Sequence, residues 1–402
     1  MDRDYIITRL KRFCGFAAGI IFYISGILKL MDPVGAGLVM SEYFSFLHLG
    51  FLDFSAKFWG TLLAFAETVI GAALITGVWR KITALTACGI QGFFTLLTLI
   101  LVIFNPEMDC GCFGEAIHLS HLQTFIKNIA LIAILVCYSI PLNDLGEPKP
   151  RKYVSFGIVT ISTALFMLYS LMYIPLIDFT DYKTTACIKP DNGIETEDNA
   201  YDAVFIYEKD GKQETFDLQN LPDSTWTFVR TETRKNEDAQ DKLVPLSFCS
   251  SDGTYHDHLA HDGKVMIVSI YDPDLSNARW KRICDFISAA TEEGFRVLVL
   301  AAGNPAEVSS MIPEDMQSVI EPHLYFGDYK TLITLNRSNG GVTFFSDGYL
   351  IRKWAARSIP DSKGLHEAAR TSETEILIGQ SSQGSLTMQG FLLYVFAVML
   401  LF

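Results

Sequence analysis

Long uncharged apolar runs, not alternation, dominate the first part of this chain. Residues 13–30 are uncharged except for Lys29 near their end, and 58–78 carry one charge, Glu67. Residues 82–104 carry none, 124–140 carry Lys127 near their start, and 153–174 are free of charge. A helix needs about 20 apolar residues to cross the hydrocarbon core, so these runs predict five membrane spans. A further run at 386–402 has 17 residues, the short limit, and predicts a sixth span or a buried or interfacial helix. The first run has no small-x-small cleavage site leading into a soluble domain. It therefore reads as a retained span rather than a signal peptide.

The short loops set an orientation. Arg3, Arg9, Lys11 and Arg12 precede the first span, Arg80 and Lys81 join the second to the third, and Lys149, Arg151 and Lys152 join the fourth to the fifth. The alternate loops, 31–57 and 105–123, hold one basic residue, Lys57. Positive-inside bias then places the N-terminus in the cytoplasm and residues 105–123 and 178–385 on the opposite face. For a bacterial inner membrane that face is the periplasm, where disulfides form. The mixed stretch SEYFSFLHLGFLDF predicts an interfacial helix, with Tyr43, Phe44, Phe46 and Phe51 near the headgroups.

After residue 178 the pattern changes to short strands and amphipathic helices. DAVFIYEKDGKQETFDL reads as a hairpin turning at Asp210-Gly211. KVMIVSIYD and FRVLVLAA read as buried strands, with a helix at about 276–293 between them. Asn304-Pro305-Ala306-Glu307 is a helix start. HLYFGD is a strand, 329–336 a short helix, GVTFFSDGYLIRKWA a hairpin turning at Asp347-Gly348, and 361–376 a last helix. The order β-α-β-α-β-α-β-β-α is that of a thioredoxin-like fold, and residues 188–200 read as a loose polar loop. This block carries 34 acidic and 20 basic residues out of a chain total of 45 and 32. The acidity excludes nucleic acid as a partner.

The sharpest chemical feature is MDCGCFG at 108–114. Three readings fit Cys110 and Cys112. As a redox pair they would exchange electrons with a thiol client protein or a membrane carrier, and quinone is the electron sink within reach of a membrane thiol pair. As metal ligands they would join His118 and His121 in a C-x-C-x5-H-x2-H array suited to zinc or copper, although this spacing is not a common zinc pattern. As a plain turn they would carry no chemistry; Ser120-x-x-Gln123 looks like a capping box, which would make both histidines ordinary helix-start residues. Glu67 at membrane depth calls for a partner or a proton-transfer role. Lys29 and Lys127 are its candidate partners, each reached only by snorkelling or tilt. Asp32 and Asp109 stand as members of the same polar network or as caps and turn residues. Cys14, Cys88 and Cys137 lie inside spans, where thiols act as small apolar groups. Cys187, Cys249 and Cys284 are an odd set that cannot all pair internally.

Several of these strings resemble a known family. YISGILKLMDP and FAETVIGAALITG resemble the first two spans of DoxX-like membrane proteins. NPEMDCGCFGEAI followed by TFIKNIALI resembles the MauE branch, whose members carry a Cys-x-Cys turn before the fourth helix. The resemblance covers about 1–140 and implies a four-helix membrane domain there, with a linker and an extra span, here in 141–177, and a periplasmic thioredoxin-like domain, here 178–385; the apolar run at 386–402 adds the sixth span. MauE is associated with maturation of a disulfide-rich periplasmic enzyme, which implies a role in thiol oxidation and leaves the client open. The α/β block departs from a working thioredoxin. Its first strand leads into Asp272-Pro273-Asp274-Leu275-Ser276 without a dithiol, and Ser338-Asn339-Gly340-Gly341 replaces the loop with the usual cis-proline. A docking role follows for that block.

Overall fold

The computed structural model describes residues 3–106, 108, 110–117, 119–140, 148–175, 177–188, 201–209, 212–216, 226–235, 243–371, 376, 389–390 and 393–394. The chain divides into two compact units, Met1–Phe179 with Thr387–Phe402, and Thr180–Leu386.

The first unit is helical: α1 (Arg3–Met31), α2 (Pro33–Phe46), α3 (Ala56–Thr76), α4 (Arg80–Phe104), α5 (His121–Ser139) and α6 (Pro150–Met172), with a short strand β1 (Cys112–Glu115) before α5. Among the described residues five helical segments are long and apolar enough to cross a membrane. Their faces are inverted relative to a helix in water. On α4, Phe93, Leu96, Ile103 and Phe104 are exposed, whereas Thr83, Gln91 and Thr98 are buried. Lipid accepts the apolar face, and the polar side chains turn to the bundle interior for partners. This is a multi-pass membrane protein.

Small residues let α1 and α3 touch backbone to backbone. A Cβ on Gly71 would stand 2.5 Å from the Tyr23 amide nitrogen, so no larger residue fits this contact. That close approach brings the C-terminal half of α1 against α3. At the start of α2, Asp32 caps the helix by accepting from the Gly35 amide at 2.9 Å, with Pro33 in the first turn. The stretch expected at the headgroups divides between surface and interior. Phe51 is exposed, but Tyr43 and Phe44 face an internal cavity. The last apolar run lies outside the described residues except for 389–390 and 393–394. Within it Tyr394 stacks on Phe166 and shares a 3.2 Å hydrogen bond with Ser162.

The second unit holds two sheets. The strands β2 (Tyr201–Lys209), β3 (Lys212–Phe216) and β4 (Thr227–Lys235) form an antiparallel sheet in the order β3-β2-β4. Its first turn, Asp210-Gly211, and residues 189–200 lie outside the described residues. The larger part runs β5 (Phe248–Cys249), β6 (Lys264–Ile270), α7 (Asn277–Glu292), β7 (Arg296–Ala301), α8 (Pro305–Met311), α9 (Glu314–Ile320), β8 (Leu324–Gly327), α10 (Tyr329–Leu335), β9 (Gly341–Ser346), β10 (Tyr349–Trp354) and α11 (Ser362–Arg370). These strands make one mixed sheet in the order β10-β9-β6-β7-β8-β5. β6, β7 and β8 are parallel, and β9, β10 and β5 are antiparallel to their neighbours. Residues Val265 to Ile270 are all buried, as expected of a central strand covered on both faces. Trp280, Ile283 and Phe286 of α7 pack on one face and Leu332 and Leu335 of α10 on the other. Asp347 and Gly348 both have positive φ, 49° and 84°, the geometry of a tight two-residue hairpin turn.

The loop after β6 and the loop before β9 lie side by side. The Asn339 side chain accepts from the Asp272 amide at 3.2 Å and donates to its carbonyl at 2.6 Å. Beneath them the fully buried Asn336 donates to the Val342 and Trp354 carbonyls, each at 3.2 Å, and accepts from the Ser338 amide at 3.0 Å. Asn336→Ala leaves those buried groups unpaired, a cost of about 1–3 kcal/mol for each group stranded. The expected result is faster amide hydrogen exchange in β9 and β10 of the full chain, with α1 to α6 unchanged.

Candidate functional site

Residues 110–112 form a tight turn whose shape depends on glycine. Gly111 has φ +59°, and a Cβ there would stand 2.3 Å from Val39 Cγ1 of α2. The turn is held from two sides by its carbonyls. The Tyr43 hydroxyl donates to the Cys110 carbonyl at 3.0 Å, and the Ser25 hydroxyl lies 2.7 Å from the Cys112 carbonyl. Burial, reinforced by the neighbouring Cys112 and Cys110 thiols and by Glu42, pushes the Tyr43 hydroxyl well above its ordinary range. It therefore stays a donor. Cys110 is 7% exposed, and Cys112 is half-buried.

The start of α5 supplies the turn with a base. Ser120 and Gln123 form a reciprocal capping box, at 3.3 Å and 3.0 Å, which fixes His121 at the first helical position. His121 Nδ1 lies 2.9 Å from Cys110 Sγ, and His121 Nε2 lies 3.0 Å from the Pro106 carbonyl. A carbonyl only accepts, so Nε2 carries a proton. In the neutral ring Nδ1 is then the acceptor, aimed at the Cys110 thiol. The geometry is that of a thiol beside a positioned base.

The turn opens on a cavity of about 380 Å³ in the membrane unit. Leu63, Phe93, Phe94 and Leu97 contribute to an apolar wall, and Cys110 and Cys112 line the same space with Lys29, Glu67, Gln91 and Asn128. Lys29 Nζ reaches both carboxylate oxygens of Glu67 at 2.8 Å, with the two side chains 11% and 3% exposed. Ser25 links this pair to the turn, because its hydroxyl also lies 3.0 Å from Glu67 Oε2. One hydroxyl hydrogen is shared between carboxylate and carbonyl. Asn128 donates to Thr98 Oγ1 at 3.2 Å.

The structure thus sorts the residues singled out from sequence. Cys110, Cys112, Lys29 and Glu67 come together around one cavity. Lys127 lines it as well, but its ammonium sits over the Phe113 ring at 4.8 Å rather than on Glu67. Asp32 is a buried cap. Asp109 and His118 lie outside the described residues. Among the described residues no group of three metal-ligating side chains gathers; His121 meets Cys110 through Nδ1 and the Pro106 carbonyl through Nε2. Cys14 and Cys137 meet elsewhere in the bundle, sulfur to sulfur at 3.5 Å.

Three residues escaped the sequence reading, Ser25, Gln91 and Asn128, and Tyr43, expected at the headgroups, lines the cavity instead. Two carried a signal. Ser25 stands four residues before Lys29, on the same helical face, and Gln91 is the single carboxamide in the uncharged run 82–104.

Residues 7–140 match the family described as Methylamine utilisation protein MauE. Residues 201–236, which contain the three-stranded sheet, match a domain of unknown function, DUF8463. A stretch of 153 residues is 28% identical to Protein TlpB of Flavobacterium psychrophilum, covering 37% of this chain and 41% of that protein. The chain therefore matches less than half the length of that relative.

Proposed function

We propose, from the premise that residues 7–140 form a membrane domain of the MauE family, that this protein carries out thiol–disulfide exchange at the periplasmic face of the bacterial inner membrane. The observation that carries the reading is the 2.9 Å contact between Cys110 Sγ and a His121 ring already committed through Nε2 to Pro106. Cys110 and Cys112 form the exchanging pair. A client dithiol attacks the Cys110–Cys112 disulfide at the more accessible Cys112 sulfur. Cys110 leaves as a thiolate beside His121, and the second client thiol displaces Cys112. The client gains one disulfide, and the pair takes up two electrons and two protons.

In this reading the N-terminus is cytoplasmic, 141–177 hold a linker and the fifth span, and 386–402 add a sixth. Residues 178–385 form a periplasmic thioredoxin-like domain. The order β-α-β-α-β-α-β-β-α supports that fold. The paired loops at 272–276 and 338–341, joined through Asn339, contain neither dithiol nor proline next to the hairpin. That supports a docking role toward the client, with the chemistry left to the Cys-Gly-Cys turn.

The test is the pH profile of His121→Ala, measured as exchange of the full-length reduced protein with glutathione disulfide in lipid nanodiscs. A bare thiol with a pKa of about 8.5 is roughly 3% ionised at pH 7. Loss of the base should therefore slow exchange by about tenfold to thirtyfold at pH 7, and the deficit should close as pH rises past 9. A variant with the wild-type rate and profile removes His121 from the mechanism.

A further inference from the structure

Exchange with a client dithiol leaves Cys110 and Cys112 reduced, and a protein that turns over must pass two electrons on. The cavity beside the pair carries the requirements for one class of acceptor. Its volume of about 380 Å³ lies within the ~300–1,000 Å³ usual for small-molecule sites. Its apolar wall suits a lipid-soluble molecule, and the Phe93 and Phe94 rings suit a flat one. The decisive group is Gln91. It is 2% exposed, it lines the cavity, and its Nε2 has no hydrogen-bond partner. A buried amide donor left unpaired is costly, so the site calls for a ligand that brings an acceptor oxygen.

We infer that the cavity is a quinone site, with Gln91 Nε2 donating to a ring carbonyl. The inference rests on the thiol reading above and names its electron acceptor. An acyl chain would fill the apolar space but gives Gln91 no acceptor deep in the wall and takes no electrons. A flavin nucleotide brings phosphate charge, whereas of the two lysines on the cavity Lys29 is already neutralised by Glu67 and Lys127 sits over the Phe113 ring. The step balances. Cys110 and Cys112 lose two protons and two electrons as their S–S bond forms, and the quinone takes up both to become the quinol. His121 receives the Cys110 proton. The Ser25 hydroxyl and the Lys29–Glu67 pair are proton-carrying groups that also line the cavity and are linked to the turn.

The test uses the full-length protein in lipid nanodiscs and duroquinone, whose four methyl groups block thiol addition to the ring. Reduced protein, mixed anaerobically with excess duroquinone, should reduce one equivalent and lose alkylation at both Cys110 and Cys112. Gln91→Leu should raise the duroquinone concentration at half-saturation about fivefold to tenfold, the loss of one hydrogen bond, with glutathione exchange unchanged. The doubly substituted Cys110→Ser, Cys112→Ser protein should still bind ubiquinone-1 saturably and one to one. Three results overturn the site while leaving the thiol reading in place: a protein that exchanges with glutathione but leaves duroquinone oxidised, a wild-type half-saturation in Gln91→Leu, or no saturable ubiquinone-1 binding to the serine double variant. A protein inert toward both glutathione and duroquinone overturns the thiol reading and this inference together.

Discussion

Cys110→Ser and Cys112→Ser should each abolish oxidation of a client dithiol by the full-length protein, with a loss of at least about a hundredfold. Neither single variant can hold the intramolecular disulfide that the exchange hands over. The two variants should differ in what remains. Cys110→Ser leaves a half-buried thiol at Cys112 that still captures glutathione as a stable mixed disulfide. Cys112→Ser leaves a thiol that is 7% exposed, with His121 against its sulfur. Burial denies a bulky reagent access, so Cys112→Ser should react more slowly with a large maleimide. Mass spectrometry of the alkylated variants reads both effects. Equal rates at the two positions would remove the assignment of Cys112 as the client-facing sulfur.

Lys29→Met should destabilise the membrane unit by about 3–5 kcal/mol, because it strands the Glu67 carboxylate in a site where it is 3% exposed. Glu67→Leu should cost a similar amount by stranding the ammonium. The combined Lys29→Met, Glu67→Leu variant should recover most of the loss, since an apolar pair of similar size satisfies the same space without desolvated charge. Thermal unfolding in nanodiscs, followed by intrinsic fluorescence, tests the three. Turnover separates a brace from a proton carrier. The folded double variant should run about a hundredfold slower in duroquinone reduction if the pair moves protons, while its glutathione exchange stays near wild type. Recovery of both stability and turnover would leave the pair a structural link between α1 and α3.

Much of this was legible in the sequence, and the limits were physical. Runs of about 20 uncharged residues announced the helices, since lipid permits little else. Ser120 and Gln123 announced the start of α5, and Asn304-Pro305 that of α8; both caps form as expected, with the Ser120–Gln123 bonds and a 3.0 Å bond from the Ala306 amide to Asn304. Local spacing said less about what meets across the bundle. Glu67 and Lys29 looked separated by depth, yet the glycine contact between α1 and α3 brings the helices close enough for a 2.8 Å pair. Tyr43 read as a headgroup aromatic because aromatic-rich stretches usually lie at the interface; the turn of 110–112 draws it inward by offering the Cys110 carbonyl as acceptor. His121 read as either a metal ligand or a helix-start residue. Its role beside Cys110 depends on where the Pro106 carbonyl lies, which no periodicity encodes.

The central claim, that the Cys-Gly-Cys turn cycles between dithiol and disulfide, is tested most directly by trapping it where it works. Cells producing the full-length protein are quenched in acid, alkylated under denaturing conditions, reduced, and labelled again with a heavier reagent. Cys110 and Cys112 should carry the second label together in a substantial fraction of molecules, and a brief pulse of dithiothreitol before quenching should shift both to the first. If both cysteines carry only the first label in every condition, the turn holds no disulfide and the claim is contradicted.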